Sequence, residues 1–235
     1  MQREYLLRPN AQFTSVTAVA AGWGNSNYHS LQARFEKRFS GGFGFLTAYT
    51  WSKTITDGVD GAWAPNGVIR DNNCRTCDRA ISSFDQPHRL VYSTNYELPF
   101  GRGKALGTGL PKWADALFGQ WQINGVLTIS SGLPLVLAVP QNTSFSLGGA
   151  QTPDVTGVSP NLGSRKTLSR WFDTAQFSQP KNFTLGTMGR VASNLRADSA
   201  QNLDFSLFKT FAIRERARIV FRAEAFNVAN HPLFL

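Results

Sequence analysis

Two cysteines with two residues between them, Cys74 and Cys77 in "DNNCRTCDRA", are the first candidates for chemistry in this chain of 235 residues. The spacing suits half of a zinc site or a redox pair. A zinc site needs a second ligand pair, but His29, His88 and His231 are scattered and no second CxxC occurs. A thioredoxin-like pair needs a helix start after a strand, a context these residues do not clearly offer. The preferred reading is a small loop disulfide between Cys74 and Cys77 in an oxidising compartment.

Other motifs dissolve on inspection. "GRGK" at Gly101–Lys104 lacks the spacing and the Ser or Thr of a phosphate loop and reads as a tight turn. "NTS" and "NFT", starting at Asn142 and Asn182, match glycosylation acceptors. No GxSxG elbow accompanies the histidines or Asp85, so no nucleophile and base assemble. We expect no enzyme and no cofactor.

The elements that carry these residues come from composition and period. Charged residues make up 17% of the chain, and the net charge is +9. The basic residues are dispersed with no block of five like charges, which argues against nucleic acid and leaves anionic lipid head groups or acidic solutes as partners. No run of 18 apolar residues exists for a transmembrane helix, and "MQREYLLRPNAQF" has no signal-peptide core.

Alternation with period two recurs in six long segments. In Tyr28–Phe39, Leu31, Ala33, Phe35 and Phe39 oppose Gln32, Arg34, Glu36 and Arg38, and Lys37 is a lone misfit on the apolar side. After Ser40-Gly41-Gly42, Phe43, Phe45, Thr47, Tyr49 and Trp51 share one face, so the pair reads as a hairpin. Two further segments set Leu90, Tyr92, Thr94, Tyr96 and Leu98 against Arg89 and Glu97, then Trp121, Ile123, Leu127 and Ile129 against Gln122 and Asn124. The last two set Leu203, Phe205, Leu207 and Phe211 against Asp204 and Ser206, then Ile219, Phe221, Ala223 and Ala225 against Arg218, Arg222 and Glu224. A weaker strand is expected within Gln12–Ala20, and a short helix over Leu110–Phe118 with Pro111 in its first turn.

The connections alternate: short at Ser40–Gly42, long over Thr54–Pro87, medium over Gly101–Gly119, long over Gly132–Gln201 and short near Arg214. A meander places every second connection at the same end, and outer-membrane barrels put short turns on the periplasmic side and long loops outside. Strands of ten or more residues suit a bilayer, which takes about 9 to 11 tilted residues, better than a globular sheet of about 5 to 6. A half-exposed sandwich sheet remains the rival, since its buried face would also be aromatic.

Several segments then resemble a known family: "SNYHSLQARFEKRFSGGFGFLTAYTWSK", "FDQPHRLVYSTNYELPFGRGK", "GQWQINGVLTISSGLPL", "WFDTAQFSQP" and "NLDFSLFKTFAIRERARIVFRAEAFNVANHPLF". In this order they are similar to the C-terminal barrel of TonB-dependent outer-membrane receptors, Oar-like group with a carboxypeptidase-regulatory-like domain. The resemblance implies a barrel of about 22 strands closed by a plug and energised by TonB to import bulky nutrients such as carbohydrates or metal chelates. The fold expected is all-β: an antiparallel up-and-down meander forming part of a large transmembrane β-barrel in the bacterial outer membrane, with long extracellular loops. Residues 1–235 are expected to be a partial barrel domain, with plug and N-terminal domains absent, because no plug or TonB box is found in the sequence. Its partners would be outer-membrane lipid, the rest of the barrel with its plug, TonB, and a small-molecule or oligosaccharide ligand. The alternative is a structural or adhesion barrel that transports nothing.

Within that frame Arg34, Glu36, Arg38, Arg89, Glu97, Arg218, Arg222 and Glu224 face the lumen, and opposite charges on neighbouring strands are expected to pair across the sheet. His88, beside a strand start, is expected at the barrel rim. The glycosylation acceptors at Asn142 and Asn182 are ones a bacterial outer-membrane protein would not normally use. Trp63, Trp171 and Phe172 in the long loops are candidates for stacking on a planar solute, with packing of the loop as their other use. Lys37, two residues before the turn, is expected to reach the membrane interface.

Overall fold

The computed structural model describes residues 12, 22, 24–58, 74–141, 143–144, 151–214 and 217–232. Its strands in chain order are β1 (Ser26–Ser40), β2 (Phe43–Thr56), β3 (Ala80–Ile81), β4 (His88–Glu97), β5 (Trp121–Ser130), β6 (Pro134–Leu135), β7 (Asp154–Val155), β8 (Phe177–Ser178), β9 (Ala192–Arg196), β10 (Ala200–Arg214) and β11 (Ala217–Ala225). One helix, α1 (Lys112–Phe118), lies between β4 and β5, with Pro111 as its N-cap rather than inside its first turn. The weak strand expected within Gln12–Ala20 lies, but for Gln12, outside the described residues.

The six long strands form one antiparallel sheet in the order β1-β2-β4-β5-β10-β11, with the two-residue β3 paired to the end of β2. Long strands follow from the unbroken alternation, because no proline interrupts any of them and each step keeps one face apolar. The registers carry both faces across the sheet. Phe43, Tyr96, Ile123, Leu207 and Ala223 stand opposite one another in turn on the apolar face. Gly44, Asn95, Asn124, Ser206 and Glu224 do the same on the polar face.

Gly41 and Gly42 close the first hairpin with φ of 62° and 80°, a region that a side chain resists and glycine does not. The long connections leave the sheet at the end marked by Trp51, His88, Ser130 and Ala200, and the short and medium ones at the other. The up-and-down arrangement read from loop lengths is therefore the arrangement present. The two "long loops" are shorter than expected, since β2 runs to Thr56, β3 pairs with it, and β6 to β9 lie within 132–199.

The described residues divide into two bodies. The first is the sheet with α1, a single layer in which Ala114 of α1 is the one buried apolar residue among those described. A sandwich would cover its aromatic face, whereas here Leu31, Phe35, Phe39 and Trp51 are 51–67% exposed. The second body is built from the long connections and has its own core of Met188, Ala192 and Leu195, with Leu135, Leu137, Phe172 and Phe177 packed around it. Gly186 permits that core to close: a Cβ there would lie 1.8 Å from the Thr152 carbonyl oxygen.

Candidate functional site

The polar face of the sheet is a wall of amides and charges. Gln122 Nε2 donates to Asn124 Oδ1 at 2.8 Å, and the row beside them runs Glu97, Gln122, Phe208, Arg222 across four strands. All eight expected charged positions lie on this face by register or alternation. Their pairing differs from expectation. Arg34 donates to Glu36 at 2.6 Å and Arg222 stands 3.8 Å from Glu224, both along one strand, while Glu97 is bonded by Lys104 from the β4–β5 connection.

The register explains this correction. Arg222 faces Phe208 and Glu224 faces Ser206, so no opposite charge stands directly across, whereas residues i and i+2 share a face about 7 Å apart. Arg222 instead covers the Phe208 ring, its Cζ 4.6 Å from the centroid, a cation–π contact. Among the described residues Arg38, Arg89 and Arg218 form no ion pair. Phe208 was missed as a wall residue because an aromatic in a strand reads as lipid-facing; its even position beside Asp204 and Ser206 was the available signal.

The apolar face concentrates aromatic rings toward the strand ends. Phe35, Phe43, Phe45, Tyr92 and Tyr96 meet in tilted and edge contacts of 5.5–6.1 Å, and Trp121 meets Phe221 edge-on at 6.2 Å. At the opposite end Tyr49 stacks on His88, its hydroxyl 2.8 Å from Nδ1, beside Trp51. His88 thus lies at the strand end as expected. Phe43 to Trp51 is about 26 Å along β2, or about 20 Å along a membrane normal at a 40° tilt, close to the apolar band of such walls.

Lys37 on this face bonds the Ser40 and Phe43 carbonyls at 3.0 and 2.7 Å and lies over the Phe43 ring. Lys37 is the lone misfit expected from the alternation, and Lys209 is a second. Lys209 stands opposite Trp121 and Phe221, is 2% exposed, lies over the Trp121 and Phe211 rings, and donates to the Gly119 carbonyl. Both amines reach backbone carbonyls at the short-turn end, the course a lysine takes out of an apolar layer.

At the long-connection end, Asp85 is buried and accepts from Arg196 Nη2 at 2.7 Å. Arg196 Nη1 donates to the Asp85 and Gly132 carbonyls as well. One guanidinium therefore ties together the chain entering β4, the chain leaving β5 and the end of β9.

In the loop body Cys74 and Cys77 are joined in a disulfide around a 3₁₀ turn. Phe172 meets Phe177 edge-on at 5.7 Å and packs on the core. Trp171 is half-buried with Lys166 over its ring at 5.2 Å. Trp63 lies outside the described residues. Arg190, 5% exposed, donates to the Thr56 and Gly58 carbonyls. Gln176 donates to Asp173, which holds that carboxyl below its ordinary range, aided by the Ala175 N–H and Arg170. Among the described residues no cluster of His, Cys, Asp or Glu is placed to hold a metal ion.

A single sheet with one uncovered aromatic face, one polar face and long strands defines a segment of transmembrane β-barrel wall. No helix among the described residues is long and apolar enough to cross a membrane, and the crossing elements are the strands. The chain belongs to the outer membrane beta barrel domain family, whose model matches residues 1–235, and its place is the bacterial outer membrane. No curated protein and no solved structure shows significant similarity to it.

Proposed function

We propose that this barrel wall serves a TonB-dependent transporter of the Oar-like group that imports bulky nutrients such as carbohydrates or metal chelates, with no catalytic step. The observation that supports this reading is the folded body made from the two long connections, which has its own core and a disulfide. Long connections that fold stably are suited to holding a ligand at the barrel mouth. The polar wall, with its excess of arginine, suits contact with a plug and passage of a hydrated solute. The partners in this reading are outer-membrane lipid, the remaining strands and plug, TonB and the ligand.

The test is uptake by cells producing the intact protein, with and without a protonophore. Energised uptake that falls when the gradient is collapsed, and binding that weakens in Trp63→Ala and Trp171→Ala, are expected. Uptake indifferent to the gradient removes the TonB reading. Loss of cell attachment with unchanged uptake on deletion of the gene favours the structural or adhesion barrel instead.

A further inference from the structure

The medium connection between β4 and β5 carries a set of apolar side chains that neither face of the sheet uses. Trp113 and Leu117, four apart on α1, are 68% and 58% exposed, Phe118 61%, and Phe100 and Leu106 of the same connection 46% and 50%. Spacing of four puts Trp113 and Leu117 on one helix face. Asp115, on the opposite side, is turned into the connection and accepts the Arg102 N–H at 2.7 Å, and Ala114 beside it is buried.

Two bonds fix where the helix lies. The Trp121 indole N–H donates to the Leu117 carbonyl at 2.9 Å, and Lys209 donates to the Gly119 carbonyl. These are carbonyls at the helix C-terminus, which lack partners within the helix. Both donors belong to the apolar face, standing opposite each other in register. The last turn of α1 is therefore held at the lipid-facing side of the sheet, at its short-turn end, and its exposed rings continue the Trp121–Phe221 belt.

We propose that this connection is an interfacial membrane foot: α1 lies in the head-group region of the leaflet at the short-turn end, with Trp113, Leu117 and Phe118 inserted and Arg102 and Lys112 toward phosphate. Phospholipid is the occupant because the patch is continuous with a surface already given to lipid. Its make-up also fits: a short amphipathic element with tryptophan and leucine on one side and cations beside it is what an interface binds.

The test uses the intact protein reconstituted in phosphatidylethanolamine–phosphatidylglycerol vesicles whose lipids carry bromine near the head group or deep in the acyl chain. Subtracting the emission of Trp113→Phe isolates Trp113, and subtracting Trp121→Phe isolates an internal standard for inserted wall. With Trp121 quenched by the bromolipids, Trp113 is expected to be blue-shifted, quenched most by the shallow bromine and protected from aqueous iodide. Quenching of Trp113 by iodide with no response to either bromolipid overturns the proposal, and protection from iodide and both bromolipids does so too, by assigning the helix a protein partner.

Discussion

Single side chains in this wall are set by what a lipid-facing or buried position tolerates. Lys209 survives on the apolar face because a carbonyl and two rings receive its charge. Lys209→Met is expected to lower stability by about 1–2 kcal/mol through the lost cation–π contact and hydrogen bond. Lys209→Glu is expected to cost more, since a carboxylate would face a carbonyl oxygen. Urea unfolding of the vesicle-inserted protein, followed by tryptophan emission, measures both. Arg196→Ala removes the guanidinium that pairs with the buried Asp85 carboxylate, and the expected loss is about 3–5 kcal/mol. Recovery of part of it with Asp85→Asn in the same chain would show that the broken ion pair is the cause. Lys209 was not legible in the sequence because its acceptor lies ninety positions away, on a loop whose placement no local pattern encodes.

At the scale of elements, period two was enough to find all six long strands and assign their faces, because lipid on one side and water on the other penalise any slip. It was not enough to find how charges pair, since that depends on register: Arg222 could not be matched to Glu224 until Phe208 was known to stand across from it. The loop elements were least legible. Two-residue strands such as β7 and β8 are held by tertiary contacts and side-chain bonds such as that from the Val155 N–H to Thr187 Oγ1, none of which leaves a periodic trace. Gly186→Ala is expected to force Thr152 away and loosen this body, which faster proteolysis within 132–199 would reveal while the sheet stays protected. Gly42→Val, at φ 80°, is expected to cost about 1–2 kcal/mol in the first hairpin, read in the same urea titration.

For the molecule as a whole, the exposed aromatic face makes water the wrong solvent. The chain is expected to be monodisperse only with detergent or lipid, as sedimentation in both media checks, and a monodisperse species in plain buffer would overturn the assignment of that face to lipid. The sheet ends in β1 on one side and β11 on the other, which are not paired with each other among the described residues. In hydrocarbon each open edge is costly, so further strands are expected to continue the wall on both sides.

The even registration of the rows also bears on how such a gene can change. Each row keeps its face through four or five strands because every strand enters in the same phase. Inserting one codon within a strand turns the remainder of that strand inside out, sending arginines into lipid and phenylalanines onto the polar face. Two codons merely lengthen it. Length drift in this lineage is therefore expected in steps of two inside the strands and in any step at all between them, a reading frame within the reading frame.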